Sequence, residues 1–481
     1  MIRVGVNYEG RDPRFVETVL PFAGVVEVTP DAIATLRDGV PVIPAETIEE
    51  LKAIGERATI ALHGVGLSIA SAGGMTEEYL ALVDTLMSSL DVAWHSEHLG
   101  YVTVDGEHLG TMLVPPRTEE VLLLVCDRVR EIQARYGKPF LLEHVVNLFP
   151  DPGGGYTAAG FLNEIVRRTG CGLILDVYNL ECDAHNGIVE AKAFLDELDL
   201  DAVREIHVAC GTEDRGLQVD VHSRVTRECT LDLLRSVLVL TPNVEAVIFE
   251  ILGPAVPSVG IEAIAAELRR VREVVDGIGV IPSRRSPQGR SAVEGSGSSL
   301  QHGIPRRSSA APQLRRLGMT LAEQQRAMRD LIRGTGIADD PYIVAASESV
   351  GLQVTRDTIR GWQRFRLSRN CRLTTALLRT RGTYEEILGS TECNSPYIEE
   401  LSSAFLRAAC AYGDPLLASV ASFERALLRA DDAEETIAWP CDPYTILGAL
   451  LQGAEILEVA EQPHQTIVSK RIPGLFRVSA A

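Results

Sequence analysis

The sequence lacks the cysteine spacing of a disulfide framework or a zinc ribbon. Its nine cysteines are scattered along 481 residues, and no two of them form a CxxC pair. Closely spaced pairs are typical of structural zinc sites and redox motifs, and cysteine-rich short chains are typical of secreted scaffolds. The pattern therefore predicts reduced thiols in a cytosolic protein.

A surplus of basic residues and a membrane-spanning run are missing as well. The 66 acidic side chains outnumber the 46 basic ones, giving a formal net charge of −20 at pH 7. This charge would repel nucleic acids and anionic membranes. No apolar run reaches membrane-spanning length, and residues 2–7 form a strand pattern where a signal peptide would stand. We therefore expect a cytoplasmic protein that binds neither nucleic acid nor membrane.

No glycine-rich dinucleotide or phosphate-binding fingerprint follows any predicted strand, which disfavours an open doubly wound sheet. Instead, short runs rich in Val and Ile alternate with longer stretches of helical period. Parallel strands covered by helices have this pattern, because both of their faces are buried. Eight such units predict a (β/α)8 TIM barrel over residues 1–280. The predicted strands are residues 2–7, 25–28, 59–63, 92–95, 140–143, 173–176, 204–208 and 246–250.

The remainder of the chain differs in composition. Residues 281–312 are rich in Gly, Ser, Pro and Arg and predict a flexible linker, because such a segment cannot bury a core. Residues 313–481 predict a mainly α-helical domain. Thr320 and Glu323 form a capping box, and Asp414 with Pro415 reads as an N-cap and first turn. A further helical stretch is predicted over residues 444–460. Nothing in this part has a catalytic pattern, so a binding or docking role is expected.

Ionisable side chains collect at the carboxyl ends of the predicted strands. In a barrel these ends meet at one mouth, where barrel enzymes place their sites. Imidazoles and carboxylates that converge there predict a site for several divalent metals, since carboxylates can bridge neighbouring ions. A single strand-end Asp or His more often caps a helix or satisfies a loop amide. The repetition over successive strands favours the metal site. The candidates are His63, His98, Glu143, Asp176, His207, Asp220, His222 and Glu250, with Glu97, His144 and Asn179 as additional or supporting residues.

The densest part of this pattern is the segment Trp94-His95-Ser96-Glu97-His98. His95 alternates out of phase with His98 along the strand, so we expect its side chain to face the barrel wall. Glu97 could orient a ligand in place of binding metal. Cys210 follows His207 closely and could reach the mouth.

Seven short segments resemble the multinuclear non-haem iron-dependent oxidative enzymes (MNIO family, related to MbnB). They are Ala-Leu-His63-Gly, Ser-Glu97-His98-Leu, Leu-Leu-Glu143, Leu-Asp176-Val-Tyr-Asn179, Ile-His207-Val-Ala, Asp220-Val-His222 and the strand-end Glu250. The resemblance covers about residues 1–275. It implies a TIM barrel that holds two or three iron ions of mixed valence (Fe2+/Fe3+), with the eight candidate residues as ligands and Glu143 and Asp176 as bridges. It also implies that O2 is a co-substrate and that a ribosomally made precursor peptide is modified, frequently at cysteine.

The chain departs from this family in three places. His144 stands where members usually have Asn, the run His207-Val-Ala-Cys210-Gly211-Thr212 lacks the second histidine that is common there, and Asn7-Tyr8 lacks the usual pattern nearby. The peptide target and the number of irons therefore stay open. The helices after residue 313 resemble the partner proteins that help these enzymes to present the precursor, which implies a fusion of oxidase and partner in one chain.

Two other readings remain. A zinc-dependent TIM-barrel hydrolase or isomerase of the endonuclease IV or xylose-isomerase-like type shares the barrel and much of the ligand layout. Asn179 stands where the endonuclease pattern has a histidine ligand, and the acidic charge does not suit a DNA-processing enzyme. A non-enzymatic protein that stores or senses metal is the third possibility. The nearly full ligand set favours the oxidase.

Overall fold

The computed structural model describes residues 1–10, 14–278, 319–336, 338–391, 393, 395–430, 433–454, 456 and 461–480. The predicted linker at residues 281–312 lies outside these residues. Within the described segments, no helix is both long and apolar enough to cross a membrane.

Parallel strands close into a barrel in the first part of the chain, and all eight predicted strands are confirmed. They follow one another around the barrel in chain order, and the last pairs with the first. The strands are β1 Arg3–Tyr8, β2 Val25–Val28, β3 Thr59–Gly64, β4 Val92–His98, β5 Phe140–Glu143, β6 Gly172–Asp176, β7 Val203–Val208 and β8 Ala246–Phe249.

Alternation along the strands divides the side chains between two cores. Residues such as Val26 and Leu62 point outward and join the large apolar core under the helices. Their neighbours point into the barrel and fill its lower layer. These are Val25, Ala61, Trp94, Leu141, Ile174, Ala246 and Ile248. Two residues further along each strand, the inward positions are mostly polar, which places the candidate site directly above an apolar floor.

Helices cover the outer face of the barrel. They are α1 Ala45–Gly55, α2 Glu77–Ser89, α3 Glu119–Tyr136, α4 Ala158–Thr169, α5 Val177–His185, α6 Ala191–Glu197, α7 Glu228–Leu238 and α8 Ile261–Ile278. Shorter helical turns lie at Phe15–Thr18, Leu20–Phe22, Pro30–Ile33, Leu200–Ala202 and Val256–Val259. Antiparallel hairpins extend from the loops, formed by Thr35–Arg37 with Val40–Val42, Tyr101–Val104 with Glu107–Leu113, and Thr212–Asp214 with Leu217–Val219.

The part after residue 319 is mainly helical, as predicted. Thr320 and Glu323 form the predicted capping box, and Asp414 accepts hydrogen bonds from the amides of Leu416 and Leu417. The helices are α9 Leu321–Arg333, α10 Pro341–Ser347, α11 Val350–Asn370, α12 Arg372–Thr380, α13 Tyr384–Gly389, α14 Ile398–Ala411, α15 Pro415–Arg429 and α16 Pro443–Leu451.

A three-stranded antiparallel sheet in this part was not predicted. Its strands are β9 Glu435–Trp439, β10 His464–Val468 and β11 Phe476–Ala480. The helix predicted over residues 444–460 ends at Leu451, so the prediction is wrong for residues 452–454, while residues 455 and 457–460 lie outside the described residues. Ile437 and Trp439 are buried between exposed neighbours, and the indole of Trp439 donates to the Thr466 hydroxyl at 2.9 Å. The period of two was present in the sequence, but strands this far apart pair only in the folded chain.

The first C-terminal helices pack on the barrel. The hairpin at residues 101–113, which follows β4, shares a buried apolar cluster with α9, α10 and α11. The cluster consists of Tyr101, Val104, Leu109, Leu113, Phe149, Met328, Leu331, Ile332, Tyr342, Ile343, Ala346 and Leu352. The two parts of the chain are therefore joined by an apolar contact as well as by the peptide chain.

Candidate metal centre

Strand register brings the predicted residues together at the carboxyl end of the barrel. His98 on β4 is the register partner of Glu143 on β5, and Asp176 on β6 is the register partner of His207 on β7. His63 pairs in register with Ser96, one inward position below His98. Because these positions point into the same barrel mouth, the side chains share one small space.

Glu143 lies at the centre of the first half of the cluster. Its Oε2 is 3.1 Å from His63 Nε2, 3.4 Å from His207 Nδ1 and 3.6 Å from His98 Nε2. Its Oε1 accepts a hydrogen bond of 3.0 Å from Asn179 Nδ2, which fixes the plane of the carboxylate. One carboxylate oxygen therefore faces three imidazole rings.

Neighbouring groups on the strands orient two of these rings. His63 Nδ1 is 2.9 Å from the Ser96 hydroxyl, which itself donates to the Leu62 carbonyl. His98 Nδ1 lies 3.0 Å from the Gly64 carbonyl, to which it donates. With Nδ1 engaged, each ring presents Nε2 to Glu143. Metal-binding histidines are commonly held in this way.

The second half of the cluster is built around Glu250. Its Oε2 is 3.1 Å from His207 Nδ1 and 3.3 Å from His222 Nδ1. His222 Nε2 is 2.5 Å from Asp220 Oδ1 and 3.8 Å from Asp176 Oδ2. His222 has φ of 29°, a conformation that is uncommon for a residue with a side chain. Such strain is frequently found at functional sites.

Asp176 lies at the end of β6 and has two roles, one for each carboxylate oxygen. Its Oδ1 caps α5 by accepting hydrogen bonds of 2.6 Å and 2.9 Å from the amides of Tyr178 and Asn179. Its Oδ2 faces the cluster and has no hydrogen bond. The helix therefore fixes this carboxylate, and one oxygen stays available.

Burial and mutual charge shift the titration of the whole cluster. Burial, followed by repulsion from Glu143, raises the pKa of Asp176 to about 8. Although burial opposes a charged ring, the carboxylates of Glu27 and Glu143 raise the pKa of His63 to about 10. Burial also opposes the charged form of Glu143, yet the rings of His98 and His207 hold the pKa of that carboxyl well below its usual range. These pKa shifts favour a proton on Asp176 and on His63, and a cation would displace such protons.

The unpartnered atoms in the cluster fit metal ions. Glu143 Oε2, Asp176 Oδ2 and His63 Nε2 are buried without a hydrogen bond, and buried polar groups without partners are rare. Ligand atoms of His63, His98 and Glu143 lie within 4.8 Å of one another, as do those of Glu143, Asp176, His207 and Glu250. Oxygen and imidazole nitrogen donors in this mixture suit first-row transition metals. The residues present therefore fit a multinuclear centre that shares Glu143.

The opening of the cluster lies beside Asp220. This side chain is 28% exposed, whereas those of Glu143, Asp176 and His207 are fully buried. His98 is 15% exposed. A substrate group can therefore approach from the side of Asp220 and His98 and not from the barrel interior.

Three further predicted residues contribute no atom to the cluster of candidate ligands. Glu97 points to the outer face of β4, where its Oε1 is 3.0 Å from His95 Nε2, so the prediction that His95 faces the wall is correct. His144 is buried with its ring against Phe194 (centroids 5.5 Å apart), and burial lowers its pKa to about 4. Asn179 supports Glu143, as described above. The Cys210 thiol donates to the Gly211 carbonyl at 3.7 Å.

Sequence reasoning missed Glu27 and Glu205. Both are fully buried inside the barrel, and ligand atoms of both lie within 4.8 Å of His207. Glu27 interrupts the apolar strand Val25–Val28, and Glu205 precedes His207 by one inward position. A glutamate at an inward position of a valine-rich strand was the available signal.

The C-terminal helices lie on the loops that surround this opening. Gln325 in α9 donates to the Ala70 carbonyl at 2.8 Å and accepts from the Ala72 amide at 2.7 Å, in the loop after β3. Arg215, in the hairpin after β7, is 2.5 Å from Asp357 in α11. Gly351 in α11 packs against the backbone of Leu148, in the loop after β5.

Comparison with known proteins gives a consistent result. Residues 15–276 match the family model described as RiPP precursor modification enzyme MbnB/TglH/ChrH. The chain is 33% identical over 203 residues to a UPF0276 protein of Rhizorhabdus wittichii, an alignment that covers 42% of this chain and 72% of the relative. UPF0276 proteins of Caulobacter vibrioides and Chromobacterium violaceum are 33% and 34% identical over 174 and 188 residues, covering 36% and 39% of this chain and 62% and 68% of theirs.

Solved structures show a weaker likeness. The IolI protein with a bound zinc atom is 14% identical with a TM-score of 0.39, over 58% of this chain and 99% of that one. D-psicose 3-epimerase from Clostridium cellulolyticum is 15% identical with a TM-score of 0.38, over 57% and 99%. At these values neither structure informs substrate or mechanism.

Proposed function

Because the chain belongs to the MbnB/TglH/ChrH family of RiPP precursor modification enzymes, we propose that it uses iron and O2 to oxidise a ribosomally synthesised precursor peptide, with cysteine as the target. RiPP denotes a ribosomally synthesised and post-translationally modified peptide. The observation that carries the proposal is the buried cluster in which Glu143 Oε2 faces His63, His98 and His207 without a hydrogen bond.

We assign the proposed ligands by proximity. His63 and His98 with Glu143 would hold one iron, and Glu143, Asp176, His207 and Glu250 would hold a second. Asp220 and His222 complete the set and would hold a third ion or cap the second. Glu143 and Asp176 are the proposed bridges. Iron of mixed valence would supply electrons to O2 and a Lewis-acidic position for the substrate thiolate.

The chain's own residues prepare the site in three ways. Asn179, Ser96 and the Gly64 carbonyl fix the orientation of Glu143, His63 and His98, so that the donor atoms need not rearrange on loading. The apolar floor below the cluster excludes water from the barrel interior. The exposed edge at Asp220 and His98 gives a cysteine side chain access while Glu143, Asp176 and His207 stay buried.

We also propose that residues 313–481 present the precursor peptide to the barrel mouth. The support is the position of α9 and α11 on the loops after β3, β5 and β7. Covalent connection would give the docked peptide a high effective concentration at the site. The proposed partners are therefore a precursor peptide and a partner-type domain in the same chain.

The zinc hydrolase or isomerase remains the competing function. In that layout residue 179 would bind metal through a histidine. Here Asn179 uses its amide to donate to Glu143 and to the His144 carbonyl. This use of Asn179 supports the oxidase.

The test is metal analysis of the full chain purified without oxygen, with Mössbauer spectra of an iron-57 sample. We expect two or three irons per chain with a mixed-valence signal. Asp176→Asn should lower the iron content, because it keeps the helix cap and replaces the free oxygen. Asp183→Asn is the matched control, since Asp183 is buried in the same helix and lies outside the cluster. Stoichiometric zinc without affinity for iron would refute the proposal and favour the hydrolase.

A further inference from the structure

Glu27 is a fully buried carboxylate inside the barrel whose two oxygens both lack a hydrogen bond. Its neighbours on β2 are valines, so the strand offers no polar partner. A buried carboxylate without hydrogen bonds is destabilising, and an apolar residue of similar size would relieve that cost. The folded barrel therefore carries a group that its own packing does not need.

The ring closest to Glu27 is that of His207. Glu27 Oε2 is 3.4 Å from His207 Nε2. The opposite nitrogen of the same ring, Nδ1, is 3.1 Å from Glu250 Oε2 and 3.4 Å from Glu143 Oε2. The imidazole of His207 thus lies between Glu27 on one side and the two carboxylates of the candidate centre on the other.

The ring of His207 is held differently from the other two imidazole rings around Glu143. His63 and His98 are held at Nδ1 by the Ser96 hydroxyl and the Gly64 carbonyl, and both present Nε2. His207 presents Nδ1, and in the described structure its Nε2 has no hydrogen bond and lies 3.4 Å from Glu27 Oε2. Carboxylates are the remaining groups that can fix its tautomer.

Glu205 is the competing carboxylate, and its geometry is less favourable. Its Oε1 is 3.8 Å from His207 Nε2. Its Oε2 accepts a hydrogen bond of 2.8 Å from the indole nitrogen of Trp94. Glu205 is therefore engaged with the lower layer of the barrel, and Glu27 is the closer acceptor.

We propose that Glu27 is a positioning residue for His207. When the centre is loaded, the Oε2 of Glu27 would accept the Nε2 proton, which leaves the Nδ1 lone pair directed at the space between Glu143 and Glu250. A carboxylate behind a metal-binding imidazole fixes the ring and strengthens it as a ligand, and the loss of such a partner typically lowers metal affinity 10- to 100-fold. This inference rests on the proposed metal centre.

The proposal predicts opposite effects on stability and on metal binding. Glu27→Leu removes a buried carboxylate that makes no hydrogen bond and keeps a similar volume, and His207 keeps Glu143 and Glu250 as counter-charges. The metal-free protein should therefore unfold at the same temperature as wild type or higher. The same variant should bind Fe2+ about 10- to 100-fold more weakly. If Glu27 had only a structural role, its replacement would not weaken Fe2+ binding while leaving the unfolding temperature unchanged or higher.

The experiment titrates the full chain with Fe2+ under anaerobic conditions, in competition with a chelator, for wild type, Glu27→Leu, Glu27→Gln and Glu205→Gln. Glu27→Gln keeps an acceptor oxygen and should lie between wild type and Glu27→Leu. Glu205→Gln is the matched control, since it makes the same change beside the same ring, keeps the acceptor for Trp94, and should bind iron within about threefold of wild type. Nitrogen-15 spectra of histidine-labelled protein loaded with diamagnetic Zn2+ report the tautomer of His207, which should be the Nε2–H form in wild type and mixed in Glu27→Leu.

Wild-type affinity in Glu27→Leu, or an unchanged His207 tautomer in that variant, would overturn the proposal while leaving the metal centre intact. Equal losses in Glu27→Gln and Glu205→Gln would also overturn it, because the effect would then be one of buried charge in general. If Glu27→Leu does not fold, Glu27→Gln decides between these outcomes. A wild-type chain that takes up no iron would refute the proposed function, and the wild-type titration reports that separately.

Discussion

Gly351 and Gly361 lie in the same helix, α11, and offer a matched pair of substitutions. A Cβ at position 351 would overlap the carbonyl oxygen of Leu148 and lie 2.6 Å from its carbonyl carbon. A Cβ at position 361 would meet no atom within 4 Å. Gly351→Ala should therefore push α11 away from the loop after β5, whereas Gly361→Ala should leave the contact unchanged.

The magnitudes follow from the distances. An ordinary carbon contact needs about 3.5–4 Å, so α11 and the loop would have to separate by roughly 1 Å or more. Both groups in the clash are backbone, so no side chain can rotate away. Overpacking of this kind costs about 1–3 kcal/mol, and the helix propensity of Ala returns up to about 1 kcal/mol. We expect a net loss of about 1–2 kcal/mol for Gly351→Ala and a gain of about 0.5–1 kcal/mol for Gly361→Ala.

Urea unfolding of the two variants and wild type measures these changes, and limited proteolysis reports whether α11 has come away from the barrel. Gly351→Ala should also weaken binding of the precursor peptide, because it displaces the helix beside the mouth. Equal stability of the two variants, with the same cleavage pattern, would refute the close packing of α11 on Leu148.

Three other outcomes are expected. Glu143→Gln should abolish iron loading, because it removes the oxygen that the two halves of the cluster share. Glu97→Gln changes a buried glutamate on the outer face of β4 and should still load iron. Elemental analysis of the two purified variants measures the difference. Burial raises the pKa of Asp183 from its ordinary 3.8 to about 7, so the folded chain keeps a proton that the unfolded chain loses, and stability should fall as pH rises between these values. From pH 5 to pH 8 the loss is about 3 kcal/mol, and urea unfolding of Asp183→Asn should lack it. Deleting residues 313–481 should weaken peptide capture and also promote aggregation seen by size-exclusion chromatography, because the apolar face of the 101–113 hairpin loses its cover.

The strands of the barrel could be predicted because each is a short apolar run buried on both faces. Such a run is set by its own composition and by the helical period on either side. The ligand candidates could be predicted for the same reason, since the end of a parallel strand fixes the end of the barrel at which a side chain lies. His98 and Asp176 could be identified as candidates from their positions at the ends of predicted strands alone.

Residues whose role depends on a contact with a residue from a distant strand could not be predicted from strand composition. Glu27 is separated from His207 by 180 positions in the sequence, and nothing local indicates that its carboxylate faces that ring. The sheet of β9, β10 and β11 was missed because its strands pair over long separations and each strand alone is marginal.

By itself the sequence determined the barrel, the end of the barrel that carries the chemistry and the identities of the candidate ligands, because strand composition and alternation are local properties. Only the tertiary structure decided which nitrogen each imidazole presents, which oxygen of Glu143 and of Asp176 stays free, and where the C-terminal helices lie. Those features depend on distances of about 3 Å between groups that are remote in the chain. Such distances are fixed by barrel closure and helix packing and by no single segment.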